Sequence, residues 1–423
     1  MDKKIKVLML GDMIFSPSGV GVQGRNFAEA LLNSGKFQIR QLSGAIKHVN
    51  YQPLKTDKYG EDLICFPCDG FGSPEIVRSM MRLERPDIIF LISDPRFYSE
   101  WLFPYLDEIR PLVPITYWNI WDNWPCPTFN KPYYESMDYL FAISKVTNDI
   151  LDKLVPHIPH EQVPHAVDDK IFKPLSDDVV LKFRNETFNK LPGDENKVIF
   201  FYNSRNARRK MTGSIVWWFN DFLNEIGRDK ATLILHTDPL DENGTNLEAM
   251  VKELDLTKGQ VLFSREKIPP EGLAMIYGMA DCLIDISDAE GWGLSTHEAL
   301  SCGTPVIATV TGGMQEQITD GVDTFGVGIE PVSKAVIGSL SVPWIYEDRI
   351  CKEDFIKALH KIYNMPKQDR KALGLKGHKH ITTKFNFDKF NERWVQLMLE
   401  VHDRFGSWET RKNYKRFDLK EIK

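Results

Sequence analysis

Two glutamates eight positions apart, Glu290 and Glu298, bracket the string Gly291-Trp292-Gly293-Leu294-Ser295. An apolar run, Cys282 to Ile286, leads into this string, and a helical stretch from about Thr296 to Cys302 leaves it. Glycines at a strand-to-helix turn let backbone N–H groups approach a ligand, and a helix N-terminus favours negative charge. A phosphate would fit there. Glu298 has a second reading, because Ser295-x-x-Glu298 is also a capping box that would only satisfy the helix start. Glu290 has no such local partner. A pair of cations, Arg205 and Lys210, follows the apolar run Val198 to Tyr202. Side by side at a strand end, the planar guanidinium and the point charge of lysine can neutralise a diphosphate. Arg208 and Arg209 between them read as a solvated basic run.

Two further clusters belong to the first half of the chain. Ser16-Pro17-Ser18-Gly19-Val20-Gly21 is a breaker cluster after the strand-like Ile5 to Leu10, and Gly19 and Gly21 are its candidates for close approach to a ligand. In Tyr117-Trp118-Asn119-Ile120-Trp121-Asp122-Asn123-Trp124-Pro125, polar and aromatic residues that could contact a ligand, Asn119, Trp121 and Asp122 among them, follow another strand-like run. Trp118, Trp121 and Trp124 either stack on a ring or fill a core, and packing is the expected place for at least one of them.

These clusters need two sheets to carry them. Strand-like runs at Gln38 to Leu42, Asp87 to Ser93, Pro114 to Trp118 and Tyr139 to Ser144 alternate with helical or loop segments. A second series begins at Lys197 and adds Thr232 to Leu235, Gln260 to Phe263 and Pro305 to Ala308. Such alternation predicts parallel sheets flanked by helices. A chain of 423 residues exceeds what one core usually serves, so two domains are expected, with a cleft between them as the default site. The expected division is a first domain over 1–174, a connection over 175–196 and a second domain over 197–399. An amphipathic helix over Phe387 to Phe405 shows its stripe at Phe390, Trp394, Leu397 and Val401, and the segment 400–423 is expected to pack back on the first domain.

No apolar stretch approaches the run of about 18 residues that a membrane span needs, and the N-terminus enters a strand directly, so the expected location is the cytoplasm. Six scattered cysteines suit reduced thiols. Neither Cys65-x-x-Cys68 nor His157-x-x-His160 has the partners of a zinc site, and both read as loop. The net charge of −6 argues against affinity drawn mainly from nucleic-acid phosphates. The basic tail, with Arg404, Arg411, Lys412, Lys415, Arg416, Lys420 and Lys423, and the trio Arg78, Arg82 and Arg85 keep a nucleic-acid or peripheral membrane contact open.

The string from Glu290 to Glu298 resembles the E-x7-E motif of the retaining glycosyltransferases of family four. Arg205 with Lys210, Gly312-Gly313-Met314-Gln315-Glu316, Pro17 to Gly21, and Val163 to Asp168 with Phe172-Lys173-Pro174 resemble other motifs of that family in the same order. The resemblance implies a GT-B fold, α/β with two Rossmann-like domains whose parallel sheets face across a cleft. It implies a nucleotide-diphosphate sugar as donor, substrate rather than cofactor, and an acceptor hydroxyl on a glycan, lipid or small molecule. By the same resemblance Glu290, Arg205 and Lys210 are catalytic, while Gly19, Gly21, Gly291, Trp292, Gly293, Leu294, Ser295 and Glu298 hold the donor. The reaction would retain configuration, with the leaving diphosphate helping to accept the acceptor proton. The family's histidine has no counterpart near Asn119, and Asn119, Trp121 and Asp122 are the candidates for contact with the sugar or the acceptor in its place. No Asp-x-Asp pair occurs, so no metal is expected. Two alternatives stay open: transfer to a hydroxylated DNA base, and a nucleotide-sugar epimerase or phosphorylase of the same fold.

Overall fold

The computed structural model describes residues 3–188 and 197–414. The chain divides into two compact units: Met1–Trp121, Cys126–His165 and Asp388–Lys423 form the first, Asp122–Pro125 and Ala166–Phe387 the second. These divisions fall at 165 and 387, against the 174 and 399 expected from sequence. Lys415, Arg416, Lys420 and Lys423 of the basic tail lie outside the described residues, as do residues 189–196 of the expected connection. The rest of that connection contains a helix, Asp177–Phe188, whose Val180 and Phe183 pack against the core of the second unit.

Among the described residues the first unit holds eight strands: β1 (Ile5–Asp12), β2 (Phe37–Gly44), β3 (Leu54–Lys55), β4 (Leu63–Pro67), β5 (Ile88–Ser93), β6 (Ile115–Asn119), β7 (Tyr139–Ala142) and β8 (His160–Gln162). They run in the order β3-β4-β2-β1-β5-β6-β7-β8, parallel except for the β3 edge. Every residue of β5, β6 and β7 is buried, the mark of parallel strands covered by helices on both faces. His160 therefore opens an edge strand rather than a solvated loop, and its Nε2 pairs with Asp152.

The helix Phe387–Phe405 completes this unit, because Trp394 fills its aromatic core. The indole meets Phe27, Trp118 and Phe141 edge-on at 4.9, 4.7 and 4.7 Å, around a Phe27–Phe90 stack. Ring pairs in this geometry add to the burial energy of each side chain.

Among the described residues the second unit has six parallel strands: β9 (Val198–Asn203), β10 (Ala231–His236), β11 (Val261–Ser264), β12 (Cys282–Asp285), β13 (Val306–Thr309) and β14 (Val327–Ile329). Their order is β11-β10-β9-β12-β13-β14. The chain leaves β9 in one direction and β12 in the other, so the topological switch point lies between them. Ligands of open α/β sheets bind at the carboxyl ends of the strands at such a point. The loop after β9 carries Arg205 to Lys210, and the loop after β12 carries Glu290. A hairpin absent from the sequence reading, β15 (Ser333–Ile337) with β16 (Ile345–Arg349), forms a separate antiparallel pair. Among the described residues no helix is long and apolar enough to cross a membrane.

Candidate active site

The loop after β9 ends in a short 3-10 turn, Arg208–Lys210, closed by Met211 in the left-handed conformation at φ 57°. This turn swings Lys210 inward. Its Nζ donates to a Glu290 carboxylate oxygen, and Arg209 Nη1 donates to the same oxygen at 3.0 Å and to the Ala289 carbonyl at 2.6 Å. The Glu290 and Lys210 side chains are only 14% and 10% exposed. Burial pushes the Glu290 carboxyl up, but Lys210 and then Arg209 outweigh it and hold the group down to about 2. Asp122 stands beside them electrostatically. Burial lifts it to about 6, Arg209 opposing and Glu290 assisting.

Glycines fix the Glu290 loop from outside. The Gly313 amide donates to the Glu290 carbonyl at 3.1 Å, and a Cβ on Gly312, which has φ 49°, would lie 1.8 Å from that carbonyl oxygen. The pair Gly312-Gly313 is thus required by close backbone approach, whatever it also does for a ligand.

The helix after the loop runs Leu294–Ser301, and its N-cap is Gly293 at φ 87°. The capping box expected of Ser295 and Glu298 is therefore absent: Ser295 is the second helical residue, and its hydroxyl donates to Asp285 at 3.1 Å. Glu298 sits a full turn in. It accepts a 2.7 Å hydrogen bond from the Tyr277 hydroxyl, which in turn accepts one at 2.7 Å from Asn203 Nδ2. Burial pushes the Glu298 carboxyl up to about 7, with the Tyr277 bond pulling the other way.

The remaining expected site residues have partners of their own. Arg205 points at Asp241, with Nε and Nη2 both donating to that carboxylate at 2.5 and 3.1 Å, and holds it down to about 2. Trp292 is 2% exposed, packs edge-on against Phe385 at 4.8 Å and donates to His297 at 3.0 Å, so its ring belongs to the core. Gly291 and Leu294 remain partly exposed on either side of it. In the first unit, Gly19 opens the helix Gly19–Asn33 and is exposed. Gly21 is buried, and a Cβ there would meet Ser16 Oγ at 2.3 Å. Asn119 is fully buried, its Oδ1 accepting from the Trp121 amide at 3.2 Å and the Tyr134 hydroxyl at 3.4 Å. Trp121 is buried against Phe129, and Trp118 lies in the core as packing required. Arg78 is spent on Glu108, and Arg85 on Glu409 and the Trp408 ring.

Sequence reasoning missed Arg209, Tyr277 and Asn203. Arg209 neighbours Lys210, but which of three consecutive cations turns inward depends on the left-handed Met211. Nothing in local spacing announces Tyr277, which arrives from the helix Pro270–Met279.

Residues 184–362 match the family model described as Glycosyl transferases group 1. Mannosylfructose-phosphate synthase of Agrobacterium fabrum is 28% identical over 193 residues, 44% of this chain and 41% of that protein. The chain spans less than half the length of the curated relatives it matches first. The solved structure of sucrose-phosphate synthase from Thermosynechococcus elongatus superposes with a TM-score of 0.74 at 17% identity, over 95% of this chain and 100% of that one. Anabaena HepE in complex with UDP and glucose gives 0.68 at 16% identity, over 94% and 100%. The chain thus has the GT-B fold and, over residues 184–362, matches the glycosyl transferases group 1 family.

Proposed function

We propose that the protein is a retaining glycosyltransferase that moves a sugar from a nucleotide-diphosphate donor to an acceptor hydroxyl, with the donor held by the second unit. One observation carries the reading: a buried carboxylate, Glu290, is paired with Lys210 and Arg209 where β9 and β12 end at the topological switch point. Two cations gathered there, beside the N-terminus of the helix Leu294–Ser301, suit a diphosphate. The donor's diphosphate takes the cations over from Glu290. Released, the glutamate faces the sugar and opposes the positive charge that grows at its ring, while Lys210 and Arg209 stabilise the charge growing on the leaving diphosphate. Glu298, oriented by Tyr277, accepts from the ribose hydroxyls. Arg205 joins the phosphates by exchanging Asp241 for them.

HepE is described with UDP and glucose, which favours a nucleotide sugar of this general kind. Side-chain cations replace a metal in this reading. A reducing compartment, the cytoplasm, suits six unpaired cysteines, four of them buried. The test is product analysis by NMR with UDP-, GDP- and ADP-sugars and a panel of hydroxyl acceptors, in EDTA. Transfer with the donor's anomeric configuration kept is expected. Turnover that requires added magnesium or manganese, or inverted product, would overturn the corresponding part of the proposal, and conversion of donor without acceptor would favour an epimerase.

A further inference from the structure

The hairpin β15–β16 touches three of the stretches of chain that surround Glu290. Glu347, on β16 and 3% exposed, accepts from Arg208 through both oxygens, one contact at 2.7 Å, and from Arg349 Nη2 at 2.5 Å. Arg349 Nη1 then donates to Asp288 at 2.7 Å, a carboxylate 1% exposed. The chain of charges Arg208, Glu347, Arg349, Asp288 thus runs from the turn that presents Arg209 and Lys210 to the loop that presents Glu290. Backbone bonds tighten the same join: the Asp288 amide donates to the Arg209 carbonyl and the Asp348 amide to the Asp288 carbonyl, both at 2.8 Å. A third stretch is held by Tyr346, whose amide donates to the Trp124 carbonyl at 2.6 Å and whose carbonyl accepts from Asn123 Nδ2 at 2.9 Å. That stretch begins at Asp122, the carboxylate that feels Arg209 and Glu290.

Stability alone is a poor reason for such a chain, because Arg208 is 60% exposed and Arg349 32%, and ion pairs with one solvent-screened partner contribute little. Its effect on geometry is specific. Glu347 holds Arg208 on the hairpin, away from Glu290, so that the next two residues, and not Arg208, meet that carboxylate. We infer that Glu347 is a positioning residue: through Arg208 and Arg349 it sets the turn of residues 208–210 against the loop of residues 288–290, and so aims Arg209 and Lys210 at the donor diphosphate. The inference rests on the diphosphate reading of this site.

The test is calorimetric titration of the wild type and Glu347→Gln with UDP, GDP and ADP, each compared with its own nucleoside. Removing a negative charge would by bulk electrostatics tighten binding of an anion, so a loss isolates positioning from charge. For the diphosphate that the wild type binds, the variant is expected to lose about tenfold in affinity while nucleoside affinity holds, a coupling of the size seen between groups in one network. Equal or tighter diphosphate binding, or parallel loss for the nucleoside, would overturn the inference. A wild type that binds none of the three diphosphates would overturn the site reading itself, and the inference with it. Should Glu347→Gln fail to fold, Arg349→Lys, which keeps the charge but loses the two-armed bridge, is expected to give the same selective loss, and its failure to do so counts against the inference equally.

Discussion

Glu290→Gln should destabilise the second unit while leaving its affinity for a nucleoside diphosphate intact or improved. The carboxyl falls from its ordinary 4.5 to about 2, and its side chain is 14% exposed, so solvent screens it little. A shift of that size corresponds to roughly 3 kcal/mol of interaction favouring the charged form. Arg209, one of its two partners, is 44% exposed, and discounting that arm for screening leaves about 2 kcal/mol. The sign follows from a depressed acid: the stabilisation is complete above 4.5 and is lost as pH falls through about 2. Urea denaturation of both proteins should therefore show a gap of about 2 kcal/mol at pH 7 that narrows as pH falls from 4.5 towards 2. Calorimetry on the same samples should show no weakening of diphosphate binding, because the ligand no longer competes with Glu290 for Lys210 and Arg209. Turnover should fall about 100-fold, since the charge facing the sugar in the transition state is gone. A variant as stable as the wild type at pH 7, or one that binds the diphosphate more weakly, would refute the reasoning.

Gly312→Ala places a Cβ 1.8 Å from the Glu290 carbonyl oxygen, whereas Gly321, also at positive φ, has nothing within 4 Å of its Cβ position. Melting curves should show Gly312→Ala costing well over the roughly 1 kcal/mol of backbone strain expected for Gly321→Ala, and equal losses would contradict the packing argument. Glu298, pushed up to about 7 in the folded protein, binds more protons folded than unfolded between its ordinary 4.5 and 7. Wild-type stability should therefore fall relative to Glu298→Gln as pH rises through that window, and curves that stay parallel would dismiss the shift.

The sheets were legible because parallel strands buried on both faces read as short apolar runs, and Phe387–Phe405 because Phe390, Trp394, Leu397 and Val401 keep helical period. The acidic string was placed correctly on its strand-to-helix turn. Its helix cap was not, since Gly293 at φ 87° stands where Ser295 and Glu298 were expected to share that task. Arg205 satisfied the spacing but met Asp241 from a loop 36 positions along, a contact that no local pattern encodes. The hairpin β15–β16 brings Glu347 to Arg208 from 139 positions away, a pairing of the same unreadable kind. Local periodicity reports which face is buried. Pairing between distant loops depends on the strand order that brings them to one sheet end.

The central claim, that the second unit holds a nucleotide-diphosphate sugar through Lys210, is tested most directly by thermal shift. Wild type and Lys210→Ala are melted with UDP-, GDP- and ADP-sugars at concentrations up to saturation. A ligand that binds only the folded state at 100 times its dissociation constant adds about 2.7 kcal/mol of apparent stability. One donor class is expected to raise the wild-type melting temperature, and Lys210→Ala is expected to lose most of that rise while keeping any response to the matching nucleoside. No response to any nucleotide sugar, or a rise of equal size in Lys210→Ala, would contradict the account.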